Sequence, residues 1–280
     1  MWTSFRGAGH MTYYSGKGWI GWFSGDKNKL YQGAKGLLDY GEEKSSLRCQ
    51  MVGYLLMGVR HFMDLDMDPA VECVKRVIDR GDPYHAQFAK LLLGMFLVHM
   101  REFETAADYL TQVIEYSEKE RTEYLKRYAN IFLGTALAAQ GNLREGISLV
   151  ESASQEFMEF QRNVLYCLSE SILGSIYLQM LQRSGNKSLS FFFKNIGFLI
   201  KNIFFVGKKA KRHLTKGIQL ARQTGAKGFL GQPCLQMSLL LKLKGQRAKA
   251  KECLLEAIEV FEECDFEVHL HRAKELLASL

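Results

Sequence analysis

The chain has 280 residues, of which 47% are hydrophobic and 24% charged, and its formal net charge is +7. These proportions are those of a folded globular protein, and they exclude a disordered or low-complexity chain. The three prolines are Pro69, Pro83 and Pro233. Because an interior proline costs a helix about 3 kcal/mol, this scarcity favours an all-helical chain.

The cysteines and the first residues predict a cytoplasmic protein. Six cysteines contain no Cys-x-x-Cys pair and fall in apolar helical stretches, which favours buried thiols in a reducing compartment over disulfides. No basic stub followed by an apolar run is visible at the start of the chain, so no secretory signal is expected.

The first 43 residues are predicted to form an irregular N-terminal segment. Glycines crowd residues 1–25 and no clean helix start is visible there. A half-matching repeat unit covers Trp19–Leu38. The glycine-rich start leaves two interpretations open, a separate protein or a piece of a longer one.

From Gly58 onward, small residues recur in pairs inside apolar stretches. Where two antiparallel helices cross closely, a side chain larger than methyl holds the backbones apart, so Gly or Ala is favoured at the crossing. The pairs are Gly58 and Ala70, Gly94 and Ala106, Gly134 and Gly146, Gly174 and Ala210, and Ser238 and Ala250. Each pair is twelve residues apart except Gly174 and Ala210, which are 36 apart. The pattern therefore predicts stacked two-helix units interrupted by one insertion.

This pattern resembles the tetratricopeptide repeat family over roughly residues 44–280. Two departures are that Leu65 and Arg101 stand where a turn glycine is expected, and that no unit ends in the family's closing proline. The long, uneven steps are similar to the repeat regions of large bacterial signalling ATPases and nucleotide cyclases. The resemblance implies a right-handed α-solenoid of helix hairpins that binds a protein or peptide helix. Its expected parts are a superhelix at 44–265, an insertion at 182–207 and a capping helix at 266–280.

One face of the first helices is expected to line an apolar groove for a partner helix. An exposed apolar surface of this kind usually marks an interface. Clamping of a peptide carboxylate is disfavoured, because only Lys242 offers a cation on this face. The predicted groove residues are Val52, Leu55, Val59, Phe62, Phe88, Leu91, Met95, Val98, His99, Tyr128 and Ile131.

The inserted run Ser188–Val206, SLSFFFKNIGFLIKNIFFV, predicts an amphipathic helix with a narrow polar stripe. A membrane-spanning helix is disfavoured because each central lysine costs roughly 2.5–3.5 kcal/mol. Three interpretations stay open: packing against its own solenoid, lying flat on a membrane, or docking onto a partner protein.

Charge is segregated along the chain. No Asp or Glu occurs between Glu170 and Glu252, whereas residues 171–251 hold sixteen Lys or Arg. An acidic protein or an anionic membrane would fit such a region, and so would simple solvation or the acidic half of a neighbouring copy. Nucleic acid is disfavoured because no aromatic strand platform is evident. The densest cluster consists of Lys208, Lys209, Lys211, Arg212 and Lys216.

No motif for catalysis, a metal or a cofactor is recognisable. His269 and His271 are two residues apart and would point about 200° apart on a helix, so they cannot share a metal. The glycines around Lys17 lack phosphate-loop spacing. We therefore expect a non-catalytic interaction or regulatory module, with a peripheral membrane adaptor as the alternative.

Overall fold

The computed structural model describes residues 2–183 and 205–280, without the side chains of residues 2–8 and 183. This part of the chain contains thirteen α-helices, one 3-10 turn at Lys227–Phe229 and no strand. The predicted all-α fold is therefore confirmed. The inserted run lies outside the described residues, apart from Phe205 and Val206. The helices are α1 (Trp2–Ser24), α2 (Lys27–Glu43), α3 (Leu47–Met63), α4 (Met67–Arg80), α5 (Pro83–Met100), α6 (Phe103–Glu120), α7 (Glu123–Ala139), α8 (Leu143–Glu159), α9 (Asn163–Arg183), α10 (Val206–Thr224), α11 (Gly231–Leu243), α12 (Arg247–Glu263) and α13 (Glu267–Ala278).

The helices pack in chain order as six hairpins, α1–α2 through α11–α12, followed by α13. The first helix of each hairpin also contacts the first helix of the next hairpin, so that α1, α3, α5, α7, α9 and α11 form one continuous row. The second helices α2, α4, α6, α8, α10 and α12 flank this row. Sequential packing of this kind is that of a helical repeat protein.

Most of the turns between helices share one geometry. In ten of them a single residue has a positive φ, and the N–H of the following residue donates to the carbonyl five positions earlier. This is the Schellman arrangement, which ends a helix in one left-handed residue. The left-handed residues are Gly25, Ser45, Leu65, Arg101, Arg121, Gly141, Gln161, Gly225, Gly245 and Asp265. Leu65 and Arg101 therefore occupy the turn positions at which the sequence pattern expected glycine.

The spacing of these turns explains the repeat length. From Gly25 to Leu65, from Arg101 to Gln161 and from Gly225 to Asp265, the left-handed residue recurs every twenty positions. Two such steps make the forty-residue period seen in the sequence. The shorter step arises at α4, which has 14 residues and ends at Gly81 in an extended conformation.

The small residues lie at the predicted crossings of α7 on α8 and of α9 on α10. A Cβ added to Gly134 would come within 2.4 Å of the Gly146 carbonyl oxygen. A Cβ added to Gly174 would come within 2.6 Å of Leu214, four residues beyond Ala210. Helix α10, which carries the small residue displaced by the insertion, therefore pairs with α9 in one hairpin.

The N-terminal segment forms a complete hairpin rather than a partial one. A Cβ on Gly33 would come within 2.5 Å of the Gly18 nitrogen, so the two glycines mark the crossing of α1 and α2. The sequence template missed this crossing because the two glycines are fifteen residues apart, not twelve.

The first hairpin also contacts the last one, so the row of hairpins closes on itself. The ring of Trp22 lies 5.8 Å from that of Phe229, and the Gly228 backbone lies against the Trp22 carbonyl. On the other side of this junction, the Lys27 ammonium donates to Asp64 and to the Asp265 carbonyl, and it lies 5.4 Å from the ring of Phe266.

Among the described residues, α9 is the one helix long and apolar enough to span a membrane by length and composition. Residues Asn163–Gln182 have a mean hydropathy of 1.3, and half of the tested stretch is buried against other helices. Helices α7, α8, α10 and α11 surround it, so packing inside the repeat core accounts for its apolar character.

Candidate interaction surfaces

Most of the predicted groove residues are buried between hairpins rather than lining an open groove. They lie on α3, α5 and α7, whose mutual contacts cover this face. Seven of the eleven are buried: Val52, Leu55, Val59, Leu91, Met95, Tyr128 and Ile131. Phe62, Phe88 and Val98 are half-buried, and His99 is exposed. The structure thus narrows the accessible part of the predicted groove to these four residues.

The four remaining groove residues are partly covered by other aromatic rings. Phe62 stacks on Phe96 at a centroid distance of 4.8 Å and meets the edge of His99 at 4.7 Å. Trp19 of α1 lies 5.6 Å from Phe88. The first helix therefore covers part of the face that the sequence assigned to a partner helix.

The predicted basic cluster lies on the outer side of α10. Lys208, Lys211 and Arg212 are exposed, and Lys209 and Lys216 are half-buried. No carboxylate of the described residues forms an ion pair with Lys208, Lys211, Arg212 or Lys216. The undescribed residues contain no Asp or Glu at all. No carboxylate of the chain therefore neutralises these four side chains.

Aromatic rings hold several of these cations in place. The ammonium groups of Lys208 and Lys216 lie 5.9 Å and 5.6 Å from the rings of Phe205 and Tyr166. The Lys209 ammonium lies 5.2 Å from the ring of Tyr177. Such cation–π contacts limit the motion of the lysines without cancelling their charge.

A buried polar network supports α10 from below. The His213 Nδ1 lies 2.9 Å from a Glu170 oxygen, and both residues are buried. Ser154 donates to the other Glu170 oxygen at 2.8 Å. The sequence contained a weak signal for this pair, since Glu170 is the last acid before the basic region and His213 directly precedes the core residue Leu214.

The hydrogen bonds of His213 define which ring nitrogen donates and which accepts. The Arg212 guanidinium, which only donates, lies 3.0 Å from His213 Nε2, so that nitrogen accepts. Nδ1 then carries the proton and donates to Glu170. The His213 ring also stacks on Tyr177 at 5.6 Å. All polar atoms of this pair are thus engaged in holding α9, α10 and α8 together.

The potential metal ligands of the described residues are dispersed, and burial affects at least two of the thiols. Among residues 2–183 and 205–280, no group of three or more His, Cys, Asp or Glu side chains could hold a metal ion. Burial raises the pKa of Cys167 to about 12 and that of Cys73 to about 11, which keeps both thiols protonated at neutral pH. Protonated thiols are poor nucleophiles.

A cavity of about 610 Å³ lies at the junction of the two ends of the row. Its wall includes Lys27, Arg60, Asp64, Phe266 and His269. Both cations are already paired, because Lys27 and Arg60 each donate to Asp64. We therefore regard this cavity as part of the seam between first and last hairpins.

The evidence for function comes from the two surfaces described above, the accessible groove residues and the basic cluster on α10. No protein-family model matches the sequence, and no curated protein matches it.

Proposed function

We propose that this protein is a non-catalytic protein-interaction module of the tetratricopeptide-repeat type, with α10 as its docking surface for an acidic partner. The observation that carries the proposal is the unneutralised row of exposed cations on α10. We further propose the right-handed superhelix of that family and a regulatory role within a bacterial signalling pathway.

Three features support binding rather than simple solvation of this surface. The cations are concentrated on one helix, since α10 holds six Lys or Arg and no acid. Cation–π contacts and the Glu170–His213 pair hold the helix and its side chains in place. A pre-arranged surface loses less side-chain entropy on binding, so its charges contribute more to orientation and association rate.

A fluorescent polyglutamate peptide tests the proposal directly. We expect salt-dependent binding to the intact chain, weakened at least about tenfold in a Lys208→Glu/Lys211→Glu variant, since each charge contact typically contributes a fraction of a kcal/mol to about 1 kcal/mol. The matched control is Lys249→Glu/Lys251→Glu, which changes net charge equally at two exposed positions of α12. Equal loss in both variants, or no binding at all, would contradict a docking surface on α10.

A peripheral membrane adaptor is the second candidate, and one observation favours it. The ring of Phe205 is 53% exposed and stands beside Lys208 at the start of α10. An apolar ring among cations suits an anionic bilayer, where each basic residue adds about 1 kcal/mol. Co-sedimentation with vesicles containing anionic lipid would show binding that Phe205→Ser reduces. Equal sedimentation with neutral vesicles would remove this candidate.

A further inference from the structure

Five of the second helices, α4, α6, α8, α10 and α12, share three outward-facing positions. Counted from the small residue at each crossing, these positions lie two before, two after and nine after it. On a helix with about 100° per residue they fall within about 40° of one another, so they form one stripe. All fifteen residues at these positions are exposed, which confirms the register.

The charge of this stripe reverses along the row of hairpins. The stripe residues are Asp68, Glu72 and Asp79 on α4; Glu104, Asp108 and Glu115 on α6; Arg144, Ser148 and Gln155 on α8; Lys208, Arg212 and Gln219 on α10; and Ala248, Glu252 and Glu259 on α12. Acidic stripes on α4 and α6 thus give way to a basic one on α10, with α8 between them.

Of the acidic stripes, the one on α6 is the most highly charged that forms no ion pair with a described residue, since the stripe on α12 has only two free acids, Glu252 and Glu259. On α4, Glu72 already binds Arg76 of its own helix. Glu104, Asp108 and Glu115 form no ion pair with any described residue. The whole of α6 has five acids and one base, a net charge of −4, whereas α10 has a net charge of +6.

The two helices cannot satisfy each other within one chain. They belong to the third and fifth hairpins, and α7, α8 and α9 lie between them in the packing order. Their lengths are matched, at 18 residues for α6 and 19 for α10. A second copy of the chain can therefore present a complementary helix of equal length.

We propose that α10 of one copy docks on α6 of a second copy, head to tail. This inference rests on the proposed function, because it names the acidic partner of the α10 surface. A single contact leaves one free stripe of each sign on the pair, so assembly either closes into a ring, of which a reciprocal dimer is the smallest, or continues. Exposed ion pairs each contribute little and are screened by dissolved salt, so the association is weak and depends on ionic strength.

Sedimentation velocity of the intact chain at rising concentration tests the self-docking. At an ionic strength of about 0.02 M we expect the average mass to rise with concentration. At about 1 M, where the screening length is about 3 Å, we expect the monomer alone. Lys208→Glu/Lys211→Glu and Glu104→Lys/Asp108→Lys should each remain monomeric at low salt. The first variant cancels the positive charge of its α10 stripe, and the second makes its α6 stripe positive.

Mixing the two reversed variants gives the decisive measurement. The acidic α6 of the first variant and the basic α10 of the second are both unchanged, so the mixture should associate at low salt although neither variant does alone. The control Lys249→Glu/Lys251→Glu should associate like the intact chain, and far-ultraviolet circular dichroism checks that every variant is folded.

The possible failures can be told apart. A monomeric intact chain at low salt, or a mixture that stays monomeric, overturns the self-docking. If the polyglutamate peptide still binds through Lys208 and Lys211 in that case, the proposed function stands and the partner is another protein. If the peptide also fails to distinguish the variants, both proposals fall.

Discussion

The protonation of one histidine is linked to the seam between the first and last hairpins. The His269 ring stacks on Phe261 at 5.4 Å and lies 6.2 Å from the ring of Phe266. Burial, helped by electrostatic interaction with His99, Arg272 and Lys27, lowers the pKa of His269 to about 4. The folded protein therefore holds this imidazole in its neutral form at neutral pH.

Between about pH 6.5 and about pH 4, acidification should lower the free energy of unfolding because His269 is buried in its neutral form. The unfolded chain takes up the proton near pH 6.5, whereas the folded chain does so near 4, so the free energy of unfolding falls as the pH drops through this interval. The loss is about 2 kcal/mol after allowance for partial exposure of the ring.

Urea unfolding at about pH 7 and about pH 4.5 measures this dependence on pH. His269→Gln should reduce the difference in unfolding free energy between the two conditions. The control His271→Gln should not, because the His271 side chain is 80% exposed. An unchanged pH dependence in His269→Gln would contradict the assignment.

At the scale of the helix pair, the close backbone contact between α7 and α8 depends on the absence of a side chain. At the α7–α8 crossing two glycines face each other, and a Cβ on Gly134 would also lie 2.6 Å from Val150. Relief of these contacts requires the helix axes to separate, because the nearest atom belongs to the Gly146 backbone rather than to a flexible side chain.

Two alanine substitutions separate this crowding from helix propensity. Gly134→Ala should destabilise the protein by about 1–3 kcal/mol, since overpacking outweighs the gain of about 1 kcal/mol from replacing a helical glycine. Gly16→Ala should instead stabilise by about 0.5–1 kcal/mol, because a Cβ added at this position of α1 would have no atom within 4 Å. The midpoint of urea unfolding is measured for both variants and for the intact chain. A Gly134→Ala variant as stable as the intact chain would contradict the close crossing of α7 and α8.

For the whole molecule, closure of the row links the first hairpin to the last. An open row of repeats can unfold from its ends, because each unit contacts only its neighbours. Here Trp22, which is 4% exposed, packs on Phe229 across the seam. The other two tryptophans, Trp2 and Trp19, lie on the same helix, so tryptophan fluorescence reports on α1 and its seam while circular dichroism reports on all helices.

Phe229→Ala should uncouple the two signals. In the intact chain we expect fluorescence and circular dichroism to change at the same urea concentration, as for one cooperative unit. In Phe229→Ala the tryptophan emission should shift to the red at lower urea than the loss of helix. Leu243→Ala is the control, because that side chain is 57% exposed. Coincident transitions in Phe229→Ala would mean that the seam contributes little.

Much of the fold could be predicted from the sequence because each helix crossing requires small and apolar residues at regular, short spacings. The small residues, the apolar positions that follow them and the turn positions at Leu65 and Arg101 all recur at spacings set by the helix itself. The displaced Ala210 and Leu214 were found in the same way. Part of the candidate site was also predictable, since a row of lysines without acids is visible in the sequence whatever the fold.

The sequence by itself therefore determined the helices, their pairing into hairpins and the basic cluster on α10. Only the tertiary structure decided which apolar faces are buried between hairpins, that α1 lies across part of the expected groove, and that the ends of the row meet. These features depend on the small rotation from each hairpin to the next, summed over six hairpins. No local spacing records that sum, which is why Val52 and Leu91 looked like groove residues and are core residues.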